Sequence, residues 1–353
     1  MKKNATKVVL LSAMTAITIF SRGAESKKNV TLINVKDTIV KVSTAQTVFT
    51  SAAVRPGNMT ITKSGRMFVT MNPLMAPVTK VFEIKKDGNA IAYPDEKYAT
   101  GDASIIKAII AIRADSKDNL WLLDMGEKQF IVWNTKTEKL VKTIQIPSNV
   151  IESTSFLQDF VIDEKNNRLI IADMTQGDLK SAPIPAFIVI DTKTGSASRM
   201  AKSHSSMMPD FEGGFGLNPI AIDPSFKWVY FGALHGKKVY RVPANSFDSD
   251  EKLIQDIEEY APKSYSDGIA VDEKENVYVT NVEEQAIGLT NKKEGFKNIA
   301  LLPKGQTWPD GLHIANDGFI YSTVDQLNRT AALNNGKDES TAPFLIIKTE
   351  MIK

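Results

Sequence analysis

Ser266-Asp267-Gly268-Ile269-Ala270-Val271-Asp272-Glu273-Lys274-Glu275-Asn276-Val277-Tyr278-Val279-Thr280-Asn281 reads as a β-hairpin. A polar residue and a glycine lead into an alternating apolar strand. An acidic and polar turn follows, then a second apolar strand that ends on a polar residue. The unit occurs six times. Four copies come earlier, at 58–61 with 66–70, 111–115 with 120–124, 159–163 with 168–173, and 218–223 with 228–232; one comes later, at 310–314 with 318–322. Their first residues, 58, 111, 159, 218, 267 and 310, are spaced by 43 to 59 residues. A hairpin period of roughly this length predicts an all-β fold, a six-bladed β-propeller. Further apolar runs at 130–133, 187–190 and 238–242 supply strands to complete the blades. Residues 30–33 and 38–42 read as strands that lead into the repeats, and the acidic stretch 246–260 as a short helix between blades. The apolar segment 342–352 is expected to supply the outer strand that closes the ring, together with a strand near residue 40.

Bulk properties narrow the function classes. The chain has 353 residues, with 43 Lys and Arg against 41 Asp and Glu, a formal charge of +2. That balance argues against nucleic acid as a partner, which needs a concentrated basic face. There is no cysteine, so disulfides and thiolate metal sites are excluded, and three histidines argue against a His-rich zinc site. A metal here would be held by oxygen ligands, as calcium or magnesium is. Lys2, Lys3 and Lys7 precede 13 apolar or small residues at 8–20, and small residues follow at 21–24. The run is too short to span a bilayer comfortably and reads as an export signal, residues 1–23, ahead of a propeller domain at 24–353. The expected location is periplasmic or secreted, with no stable membrane insertion once the signal is removed.

In a propeller the innermost strand of each blade lines a central channel, so the residue heading that strand sits at one mouth. The second strand runs back and ends at the same mouth. Asn58, Asp159, Asn218, Asp267 and Asp310 form the first set, with Ala111 as its gap; Asp124, Asp173, Asn281 and Asp325 form the second. A ring of carboxylates and amides suits a hard cation or the polar groups of a small-molecule ligand. Asn218, Asp267 and Asp310 are the candidate metal ligands. Asp and Asn at strand ends also cap turns through their own backbone, so each residue alone reads either way. Trp308 and Tyr265, each two residues ahead of a head residue, are candidate walls, with Phe156 and Phe215 in similar positions. The loop 204–216 is expected to be a flexible lid, and His235 to sit close by. No Ser-His-Asp triad is implied by order or spacing.

The chain resembles the Yellow and major royal jelly protein family over about residues 50–330. Arg66-Met67-Phe68-Val69-Thr70 is similar to the family's RLFVT segment, and Met75-Ala76-Pro77-Val78-Thr79 loosely to its GVPATL segment. Asn119-Leu120-Trp121-Leu122-Leu123-Asp124-Met125-Gly126 is close to RLWVLDTG, and Asn281 with Gln285-Ala286-Ile287-Gly288 resembles NAIGCWN. Trp308-Pro309-Asp310-Gly311-Leu312, running on to Gly318-Phe319-Ile320-Tyr321-Ser322, resembles FPSGLKVNDKGELWVLS. The resemblance implies a secreted six-bladed propeller and brings no general catalytic mechanism; the family's cysteines are missing here. More distantly, the chain is similar to regucalcin and gluconolactonase propellers, which hold a divalent cation with Glu, Asn and Asp and hydrolyse lactones. Asn218 and Asp267 look like the Asn and Asp of that site, whereas Asn58 stands where a Glu would be expected. Three readings follow: a ligand-binding propeller, a divalent-metal-dependent hydrolase of the lactonase type, and a scaffold for protein partners.

Overall fold

The alternation that marks each repeat becomes the inner half of a blade. The computed structural model describes residues 30–35 and 38–352; the expected export signal lies outside the described residues. Six sheets surround a central channel. Their innermost strands are Pro56–Ile61, Ile109–Ala114, Leu157–Asp163, Leu217–Ile222, Ile269–Val271 and Pro309–Ile314. In four blades all the strands follow in chain order from the channel outward, each antiparallel to its neighbours; blades five and six also take in strands from the start of the chain. The helix expected in the acidic stretch forms at Asp250–Asp256, with Ser249 as its N-cap accepting from Lys252 N. No helix among the described residues is long and apolar enough to cross a membrane.

Ring closure differs in detail from the expectation. The C-terminal strand Phe344–Glu350 is the third strand of blade six, and the outermost is Gln46–Ser51, paired antiparallel with it. The first and last parts of the chain thus close one sheet, which removes two free edges. Ahead of them, Val30–Val35 and Thr38–Thr44 form a hairpin that joins the outer edge of blade five through a parallel pairing of Ser43 with Ala300.

The faces of neighbouring blades hold the apolar side chains. Phe68, Ile112 and Leu122 pack between blades one and two. Leu123, Phe130, Phe160 and Ile171 pack between blades two and three, with the Phe130 and Phe160 rings edge to face at 4.8 Å. Each such fully buried side chain contributes roughly 1.5–3 kcal/mol, so the wedges between blades hold the ring together. The inner strands are thereby fixed in direction, and their heads gather at one mouth.

Candidate functional site

A break in register at the head of the inner strands aims the polar residues inward. The ladder to the second strand slips between Pro56 and Met59, Ile109 and Ala111, Leu157 and Asp159, Leu217 and Ile220, and Pro309 and Leu312. A bulge leaves an extra residue unpaired and re-aims its side chain. In blades one, five and six, N–H groups at the strand head find second-strand threonines. Thr70 Oγ1 accepts from Asn58 N at 3.0 Å, Thr280 Oγ1 from Asp267 N and Gly268 N at 2.9 Å each, and Thr323 Oγ1 from Gly311 N at 2.9 Å. Gly268 is required by close approach: a Cβ there would lie 2.0 Å from the Asp310 carbonyl oxygen. Gly268→Ala is therefore expected to push blades five and six apart. It should cost at least the roughly 1–3 kcal/mol usual for overpacking, read as a lower urea midpoint; an unchanged midpoint would contradict the tight approach.

Asn58, Asp159, Asn218, Asp267 and Asp310 line one cavity of about 30 Å³, together with Asn72, Gln158, Leu74, Phe156 and Leu327. That is room for about two waters, or an ion or small polar head with little else. Asn218 Nδ2 donates to Asp267 Oδ1 at 2.8 Å, and the Trp308 indole N–H donates to Asp267 Oδ2 at 2.7 Å. Trp308 holds a left-handed backbone, φ +59°, which is uncommon for a bulky residue and is stabilised here by that bond. Asn58 and Asp159 are bridged by Arg113: its Nη1 donates to Asn58 Oδ1 at 2.7 Å and its Nη2 to Asp159 Oδ2. Arg113 comes from blade two, the blade whose head residue is the gap in the acidic ring, and sequence reasoning did not single it out.

Asp159, Asp267 and Asp325 are buried at this mouth, and Asp310 is half-buried. Burial pushes Asp159 up to about 6 against the pull of Arg113. Burial raises Asp267 as well. Asp310 is raised well above the usual carboxylate range by burial, then by the charges of Asp267 and Asp325. Asp325 is pushed up to about 7 by burial and then by Asp267. Asp325 Oδ1 accepts from Leu327 N at 3.1 Å, whereas its buried Oδ2 meets no donor other than the Asp310 carboxyl. Crowded against each other and against Asp267, the two acids favour a proton over a further negative charge.

The other expected residues do other work. Asp173 is not among the cavity's lining. Its Oδ1 accepts from Phe156 N at 2.9 Å, and its Oδ2 from Ser155 Oγ and Arg199 Nη1, both at 2.6 Å. Asp124 clamps Lys107 N and Ala108 N in the same way, each at 3.0 Å. Asn281 caps its own turn, accepting from Glu283 N and Glu284 N. These three fall on the turn-capping side of the choice, because free backbone N–H groups lie within their reach. Tyr265 stands outside the lining too, edge-on to His235, with Lys237 Nζ 3.8 Å above its ring. The loop 204–216 is anchored at its far end. Gln176 donates to Gly214 O and accepts from Gly216 N, both at 3.0 Å, and His235 Nδ1 accepts from Phe215 N at 2.8 Å. None of the loop's residues lines the cavity, and these bonds pin the end expected to move as a lid.

No group of three or more His, Cys, Asp or Glu side chains placed to share a metal ion occurs among the described residues. Of the three candidate ligands, Asn218 and Asp267 are bonded to each other and Asp310 turns to Asp325. As placed, they do not form a coordination shell for a divalent cation.

Comparison with known proteins adds a family and a fold. The sequence model of the family described as Major royal jelly protein matches residues 108–351. Major royal jelly protein 3 of Apis mellifera is 24% identical over 241 residues, 57% of this chain and 43% of that protein, so the chain spans less than half of that relative's length. Among solved structures, a gluconolactonase from Xanthomonas campestris superposes with a TM-score of 0.58 at 10% identity, over 92% of this chain and 90% of that one. The calcium-binding protein regucalcin from Agrobacterium tumefaciens gives 0.57 at 13%, over 87% and 95%. A luciferin-regenerating enzyme gives 0.59 at 12%, over 85% and 93%. At these identities the likeness is one of fold.

Proposed function

The chain belongs to the major royal jelly protein family, and from that premise we propose that it binds a small ligand carrying a positively charged group at the acidic mouth of its channel. One observation carries this reading: Asp159, Asp267, Asp310 and Asp325 form one largely buried cluster, in which the Arg113 guanidinium is bonded to Asp159. Buried like charges are costly, and a second positive charge beside them lets them ionise. The cavity admits an ammonium-sized head. Leu74, Phe156 and Leu327 line the same space and must yield to a ligand body, with the Phe156 ring on hand for a cation–π contact. Isothermal titration at pH 8 with a panel of primary amines and their isosteric alcohols tests it. Saturable binding of an amine, without binding of its alcohol, is expected; equal binding of the two, or heat from neither, would overturn it.

The divalent-cation hydrolase is the second reading. The ion-sized cavity and the solved propellers of similar fold speak for it, and the placement of the donors speaks against it. Metal analysis of purified protein, with melting in chelator and in calcium, separates the two, because a cation bound to the native state raises the melting temperature. Export is part of the proposal. Protein recovered outside the cytosol is expected to begin at residue 24, and an intact Met1 in the cytosolic fraction alone would contradict it.

A further inference from the structure

The channel has a second half. A cavity of about 430 Å³ opens at the other mouth, and all six inner strands contribute to its lining. It shares no lining residue with the acidic cavity. Its volume lies within the range of about 300–1,000 Å³ typical of small-molecule sites. Ile61, Val161, Ile220, Val271, Leu312 and Ile314 give it an apolar wall. Four nitrogen-bearing side chains are in the lining: Lys63 and Asn316 sit in exposed turns at the rim, and Arg113 and His313 on the inner strands.

Arg113 is the partition between the halves, and its bonds are unevenly spread. Of the five N–H groups of a guanidinium, three are used, by Asn58 Oδ1, the Ile112 carbonyl and Asp159 Oδ2. Nε–H and one Nη2–H have no acceptor among the described residues, and the side chain is 17% exposed. Two such N–H groups on one planar fork match a carboxylate. His313 adds a hydrogen-bonding group without a charge, since burial, and then Arg113, push it down to about 4. The acids of the rim are turned away from this task. Asp115 accepts from Lys117 N and Asn119 N, Glu164 from Ser116 N, and Asp223 from Lys227 N and Trp228 N.

We infer that this far half of the channel is a binding site for a small monocarboxylate with an apolar body, its carboxylate held by the unused edge of Arg113 and its body by the aliphatic wall. The inference shares Arg113 with the acidic mouth but needs no ligand bound there. Isothermal titration of the whole chain with decanoate, decanol and decylamine tests it. Decanoate is expected to bind saturably, one per chain, and decanol at least about tenfold more weakly. Arg113→Lys keeps a positive charge opposite Asp159 but lacks the planar edge, and Ile222→Trp fills the cavity from its wall while leaving Arg113 intact. Each variant, shown folded by an unchanged melting curve, is expected to weaken decanoate by about tenfold or more. Equal binding of decanoate and decanol would overturn the role of Arg113. No decanoate binding, or full affinity in folded Ile222→Trp, would overturn the site.

Discussion

Asp325→Asn is expected to raise the melting temperature at pH 8 and to leave it nearly unchanged at pH 4. Asp325 is an acid whose folded-state value, about 7, lies above its ordinary value of 3.8. Between these two values the native state holds a proton that the unfolded state has released, so stability falls as pH rises through that window. Below the window both states are protonated and the cost vanishes. An amide at this position keeps the acceptor for Leu327 N and adds a donor aimed at Asp310. The gain at alkaline pH should be on the order of 2–4 kcal/mol, read as the difference between variant and parent in thermal melts from pH 4 to pH 8. Taking that difference matters, because His235 and His313, both lowered to about 4, impose the opposite slope on the whole protein between about pH 4 and their ordinary 6.5. A pH-independent difference would show that Asp325 and Asp310 share no proton.

The opposite expectation holds for Arg113→Met. The Arg113–Asp159 pair has side chains 17% and 6% exposed. Removing one member of a buried pair leaves an uncompensated charge and costs about 3–5 kcal/mol. Asp159, already raised to about 6 beside the guanidinium, moves further up without it. The loss should therefore be largest at pH 8 and shrink as pH falls below that raised value. Asp159→Asn in the same chain should recover most of it. Urea denaturation of the single and double variants at pH 5 and pH 8 reads this directly, and additive losses would contradict the pairing.

Such costs mark the channel as a place where the fold gives up stability, as binding sites commonly do. They also show what was legible in the sequence. The hairpin repeat exposed the fold, because alternation and turn residues are local signals. The heads Asn58, Asp159, Asn218, Asp267 and Asp310 were legible for the same reason, each at or just ahead of the start of an inner strand, and they do meet at one cavity. Asp173 and Asn281 carry the same residue types at strand ends and cap turns instead, because nothing local tells which N–H groups lie within reach. Asp325 looks alike in sequence, yet it spends one oxygen on Leu327 N and turns the other to Asp310.

Arg113 was out of reach for a different reason. It reaches Asn58, 55 residues away, and Asp159, 46 residues away, and a blade period does not say which side chain crosses the channel. One signal was available. Thr70, Thr280 and Thr323 recur near the end of the second strand, and each takes an N–H freed at the head of an inner strand. A threonine at that position marks blades one, five and six as ones whose head N–H groups bond to a side chain. The order of strands in the closing blade needed the paired register of residues 46–51 with 344–348.

The central claim is that a cation at the acidic mouth replaces protons on buried carboxyls. Titrating a binding amine at pH 6.5 in two buffers of different ionisation enthalpy measures the protons exchanged. Between the raised values of Asp159, about 6, and Asp325, about 7, the group is partly protonated, and a bound positive charge lowers both. Net proton release is predicted, reduced in Asp325→Asn. Binding with no proton release, or with proton uptake by the protein, would contradict the account.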